Sequence, residues 1–171
     1  MTDAVSYVVV GVVHGQPAAL VQTAATFAER FDADLVCATV DSSHYAVRPR
    51  PDGTVVTMPV DPDLIDDETE SEMFDPDLRT QIAEHLERWP VRWVLETRVG
   101  GTAQELARLA DELDAAMIVV GTREVGVKGS LREFFNGSVA VQLAHRQHRP
   151  VVVVPLNPVD HDDALPWHDA E

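Results

Sequence analysis

Short valine-rich apolar runs alternate with stretches of helical period along most of the chain, the pattern of stacked βα units around a parallel sheet. The first run, Tyr7 to Val13, is almost unbroken, which predicts a central strand covered on both faces. Leu20, Ala24, Phe27, Ala28 and Phe31 then recur at helical spacing, so a first helix is expected from near Pro17, a residue suited to a first turn. Leu35 to Val40 reads as the second strand. After Asp41 the period is lost for about thirty residues, where Pro49, Pro51, Pro59 and Pro62 flank one short extended piece, Thr54 to Thr57. A flap or a partly disordered insertion over about 42–75 is the expectation.

Periodicity returns with Leu78, Ile82, Leu86 and Trp89 on one face of a second helix that stops at Pro90. Strand three, Val91 to Val99, mixes Trp93 and Leu95 with Arg92, Glu96 and Arg98, so one side of it is wet and it belongs at a sheet edge. Ala103, Leu106, Leu109, Ala110 and Leu113 form the stripe of helix three, and Met117 to Val120 is strand four, running into Gly121. A glycine-rich connection to about Asn136 leads to helix four, roughly Ser138 to Gln147, and Pro150 and Pro155 bracket strand five, Val151 to Val154. The domain is thus expected over 1–156, with a loose Pro- and Asp-rich tail over 157–171.

At 171 residues the chain can bury one substantial core and has no room for a second full domain. The single cysteine, Cys37, lies inside an apolar run and has no partner for an intrachain disulfide; it reads as a small core residue in a reducing compartment. The N-terminus carries no basic signal region, and no apolar stretch approaches the ~20 residues that span a bilayer, so a cytoplasmic location is expected. The net charge of −16 argues against nucleic acid and anionic membrane as partners, since both attract basic surfaces. Much of that excess is local: residues 61–77 hold nine acids and no Lys or Arg. They lack the spacing of a calcium loop and read as a solvated face.

The chemistry concentrates in the segment from Gly121 to Val139, which begins where a buried strand ends and finishes at a helix start, the position at which open α/β sheets bind ligands. Gly121, Gly126 and Gly129 permit positive φ and close approach of a phosphate. The N–H groups of Gly137, Ser138 and Val139 present partial positive charge to an anion, and Ser138 adds a hydroxyl. Read plainly, the same residues allow a long turn and cap a helix. His145 and His148 are three apart near a helix end, which favours the positive charge of a protonated histidine, and no third metal ligand is evident. No G-x-S-x-G, Cys/His pair or Walker-type Lys-[Ser/Thr] follows the glycines, so neither a nucleophile nor phosphoryl-transfer chemistry is indicated.

Gly121-Thr122-Arg123 after an Ile-Val-Val strand, then Gly137-Ser138-Val139, then Pro150 and four valines, resembles the C-terminal half of universal stress proteins, whose nucleotide-binding members carry G-x-x-G-x9-G-[S/T]. Gly100-Gly101-Thr102-Ala103-Gln104-Glu105-Leu106 resembles the family's opening of its third helix, and the runs Val8 to Val13 and Leu35 to Val40 resemble its first two strands. The resemblance implies an open five-stranded parallel α/β sheet, order 3-2-1-4-5, with helices on both faces, Rossmann-like; crossover sterics make it right-handed. It also implies reversible binding of ATP or another adenine nucleotide, with Mg²⁺ as a companion, through Val12, Val13, His14, Val40, Asp41, Gly100, Gly121, Thr122, Arg123, Gly126, Gly129, Gly137, Ser138 and Val139.

Three positions depart from the family pattern. Glu124 replaces its second glycine, the span from Gly121 to Gly137 is three residues longer, and His14 stands where nucleotide-binding members have Asp. A carboxylate beside a triphosphate is repulsive unless Arg123, Lys128 or Arg132 offsets it. These departures favour a rival reading, an interaction module of the same fold that has lost the nucleotide. The nucleotide-binding reading carries a stress-response role by resemblance, with at most weak ATP hydrolysis, and the rival is a dimeric module; the protein partner is of unspecified identity. Strand five at the sheet edge, apolar on both faces, predicts a homodimer through Val151–Val154.

Overall fold

The structure is a computed structural model that describes residues 5–42, 44–49, 55–59, 76–122, 138–158, 160 and 162, with backbone alone for 44–49 and 55–59. The strands are β1 (Ser6–Gly11), β2 (Ala33–Asp41), β3 (His44–Pro49), β4 (Val55–Pro59), β5 (Trp93–Val99), β6 (Met117–Gly121) and β7 (Val151–Val154). The helices are α1 (Ala18–Arg30), α2 (Pro76–Leu86), α3 (Thr102–Glu112) and α4 (Val139–Arg146). Five strands form one parallel sheet in the order β5-β2-β1-β6-β7, the predicted 3-2-1-4-5 once the short β3–β4 pair is set aside.

Alternation along β1 explains the two layers. Val8 and Val10, with Leu35 and Cys37 of β2 and Val119 of β6, face α1 and α2, where Leu20, Ala24, Leu78 and Ile82 cover them. Val9, with Val36, Ile118 and Val120, faces α3 and α4 through Leu106, Ala110 and Leu143. Val8, Val9 and Val10 are all fully buried, as a central strand packed on both sides requires.

β5 and β7 are the edges. On β5 the wet side is real: Arg98 makes a two-pronged bond to Glu112 (3.3 and 2.8 Å), which raises its pKa above the ordinary value, while the Arg79 guanidinium lies 5.3 Å over the Trp93 ring. At the far edge Arg149 fastens β7 to the end of α3. Its Nε donates to the Ala115 carbonyl at 2.8 Å and its terminal nitrogens to Asp111 and Asp114, each at 3.1 Å.

Two expectations change. The stretch after Asp41 contains an antiparallel hairpin, β3 with β4, so it is not structureless over 44–49 and 55–59. The sequence pattern marks only the extended piece Thr54 to Thr57, which overlaps β4; β3 is concealed because it is short, ends in proline and carries a register shift between Ala46 and Arg48. The first strand is also shorter than Tyr7–Val13: β1 stops at Gly11, because past Val12 the chain turns away from its neighbours. The acidic residues 61–75 and most of the tail over 157–171 lie outside the described residues.

Candidate functional site

Parallel strands end on the same side, so the turn after β1, the close of β2 at Val40 and Asp41, Gly100 after β5, and Gly121 with Thr122 at the end of β6 share one rim of the sheet. The chain leaves β1 toward α1 on one face and leaves β6 toward α4 on the other. Since β1 and β6 are neighbours and are followed by helices on opposite faces, the rim between their ends is a topological switch point, the position at which open sheets carry a ligand crevice.

On the β1 side, the Val12 N–H makes the last ladder bond, to the Ala38 carbonyl at 2.8 Å, and its side chain is buried. Val13 is more than half exposed, and its N–H donates to Gln16 Oε1 at 2.9 Å. His14 is exposed beside it. Gly15 adopts φ +76°, a left-handed conformation natural to glycine, and its N–H donates to Gln81 Oε1 on α2 at 3.2 Å. On the β2 side, the Asp41 carbonyl accepts the Gly100 N–H at 2.8 Å, tying the end of β2 to the turn that opens α3.

Across the crevice, Gly121 serves a different purpose from the expected one. Its φ is not in the positive region; instead a Cβ there would lie 2.6 Å from Leu156 Cδ1. The chain after β7 folds back over this point: the Thr122 N–H donates to the Val154 carbonyl at 2.9 Å and the Leu156 N–H to Thr122 Oγ1 at 2.9 Å. Ser138 caps α4. Its Oγ accepts the Val141 N–H at 3.5 Å and its carbonyl the Gln142 N–H at 3.0 Å, while Val139 is the first helical residue. The first-turn N–H groups of such a helix have no intrahelical acceptor. Arg123, Gly126, Gly129 and Gly137 lie outside the described residues, as do Glu124, Lys128 and Arg132.

A model of the universal stress protein family matches residues 7–155. The chain belongs to that family. No curated protein sequence matches it significantly. Among solved structures, a universal stress protein in complex with cAMP is similar with TM-score 0.59 and 24% identity, covering 91% of this chain and 100% of that one. The universal stress protein from Archaeoglobus fulgidus in complex with dAMP follows with TM-score 0.52 and 16% identity, covering 88% and 98%. A universal stress protein family protein from Arabidopsis thaliana with AMP bound has TM-score 0.50 and 14% identity, covering 94% and 98%. At these identities the likeness concerns the fold.

In this universal stress protein fold, Val12, Val13, His14, Val40, Asp41, Gly100, Gly121 and Thr122 of the expected site lie at or just beyond the C-terminal ends of the parallel strands, and Ser138 and Val139 lie at the start of α4. Sequence reasoning missed Gln16, Gln81 and Leu156, whose roles come from bonds or packing that no spacing announces; Gln81 accepts from the Gly15 N–H, 66 residues away in the chain. An open groove with a cavity volume of about 690 Å³ lies elsewhere among the described residues, at the opposite end of the strands beside Tyr7, Asp34, Arg92, Val94 and Leu113. Switch-point geometry, which follows from topology, outweighs a shallow groove at an uncovered sheet edge as an indicator of the site. Among the described residues no group of three or more potential ligands could hold a metal ion, and no helix is long and apolar enough to cross a membrane.

Proposed function

We propose that this protein reversibly binds an adenine nucleotide (ATP, ADP or AMP, with Mg²⁺ accompanying the polyphosphates) in the crevice between the β1–α1 turn and the start of α4, as a cytoplasmic regulator of a stress response and not as an enzyme. The observation that supports the reading is the topological switch point between β1 and β6, with Asp41 closing the neighbouring strand and Ser138 capping the helix that follows β6 in the chain. The cAMP, dAMP and AMP complexes of similarly folded proteins support it. The phosphates would lie against the backbone of Gly137, Ser138 and Val139, with the base near Val40 and the ribose within reach of Asp41.

Ligand-induced thermal stabilisation tests this. At ~100-fold excess over its dissociation constant a bound nucleotide contributes roughly 2.7 kcal/mol. Gly137→Val, which puts a branched side chain where the phosphate would approach, abolishes the shift, and Glu124→Gly, which removes a like charge, enlarges it. A wild type and a Glu124→Gly variant both unshifted by millimolar ATP, ADP and AMP, with and without Mg²⁺, refute nucleotide binding. The second reading, a dimeric interaction module without nucleotide, then takes its place. It draws on Glu124 and His14, and on exposed Val153 at the β7 edge. Native mass spectrometry separates the two: co-purified nucleotide supports the first, clean apo dimers the second.

A further inference from the structure

We propose that Gln81 is a positioning residue for the ligand of this crevice, holding the β1–α1 turn in its binding geometry from a different helix; the inference rests on the nucleotide-binding reading above. The turn carries Val13 and His14 between two side-chain clips. Gln16 accepts the Val13 N–H from within the turn at 2.9 Å, whereas Gln81 accepts the Gly15 N–H from α2 at 3.2 Å. Gly15 has nothing within 4 Å of where a Cβ would stand, so packing does not hold its left-handed conformation, and the bond to Gln81 is what ties it to another element.

The anchor behind that bond is firm. Leu78, Ile82 and Leu86 on the same helix are buried in the layer that also contains α1, and the Gln22 amide donates to the His85 carbonyl at 3.4 Å. Gln81 thus sits one residue before a fully packed position and reaches the turn from a packed helix. A glutamine suits this task, since it is a neutral acceptor and adds no negative charge near the phosphates of a nucleotide. α2 follows directly on the acidic segment in the chain, and the Gln81 bond links it to the β1–α1 turn.

The test compares wild type, Gln81→Ala and Gln81→Glu by calorimetric titration with AMP in about 0.5 M salt, where the added carboxylate charge is screened over a few ångströms. Gln81→Ala weakens AMP binding about 3- to 10-fold, the worth of one hydrogen bond, and Gln81→Glu, which still accepts from the Gly15 N–H, restores it to within about twofold. Exchange of the Gly15 amide proton, followed in the apo protein by NMR, accelerates in Gln81→Ala and slows again in Gln81→Glu. Wild-type affinity in Gln81→Ala, or a Gln81→Glu variant as weak as Gln81→Ala, overturns the positioning role while leaving nucleotide binding intact. Absence of AMP binding by wild type overturns both.

Discussion

Cys37 shows what burial does to a single residue. It sits in β2 between Val36 and Ala38 with no exposed surface, and desolvation pushes its thiol up to about 12 from 9.0. The thiolate is the reactive form, so the native protein should resist thiol reagents at neutral pH and react fully once unfolded, as absorbance of the released chromophore would show. The sign of the pH dependence follows: between about pH 9 and 12 the unfolded chain has lost this proton and the folded chain keeps it. The contribution is whole below pH 9 and falls by about 1.4 kcal/mol for each pH unit above it. Urea melts of wild type and Cys37→Ala across pH 8–11 should converge as pH rises. Gly121 is constrained by a neighbour: Gly121→Ala should lower stability by about 1–3 kcal/mol through the collision with Leu156, and adding Leu156→Ala should remove most of the deficit attributable to that collision. An undiminished deficit in the double variant would mean that Leu156 is not the obstacle.

Between elements, the decisive joint is Arg149. Its side chain is only 8% exposed, yet the two carboxylates it meets are open to water at 74% and 99%. Exposed pairs contribute little, so the bond from Nε to the Ala115 carbonyl is the important one. Arg149→Ala leaves that carbonyl without the donor and should cost about 1–3 kcal/mol by urea melt, most of it retained at high salt, where an ion-pair contribution would fade. The β3–β4 hairpin makes the complementary point. The register shift and terminal proline of β3 hid that strand from a search for alternation, whereas the long buried strands and the stripe of α3 were plain, because many residues repeated the same signal.

For the whole molecule, β7 is an edge strand on which Val153 remains 44% exposed, and α4 on the same side leaves Val141 exposed as well. An unpaired apolar edge of this kind is met in nature by pairing with another chain, so a homodimer through Val151–Val154 is expected, with Val153→Lys giving monomers by sedimentation. Val153 is the cleaner position than Val152, which also packs against the core. A monomeric wild type at micromolar concentration would remove the proposal. The amino-acid sequence alone determined the parallel sheet, its two-sided central strand and the wet edge at β5, because these depend on local period and on where buried strands end. Only the tertiary structure decided that Gly121 makes room for Leu156 and that Gln81 holds Gly15. Such contacts join residues far apart in the chain, and nothing in either residue's immediate neighbourhood specifies its partner.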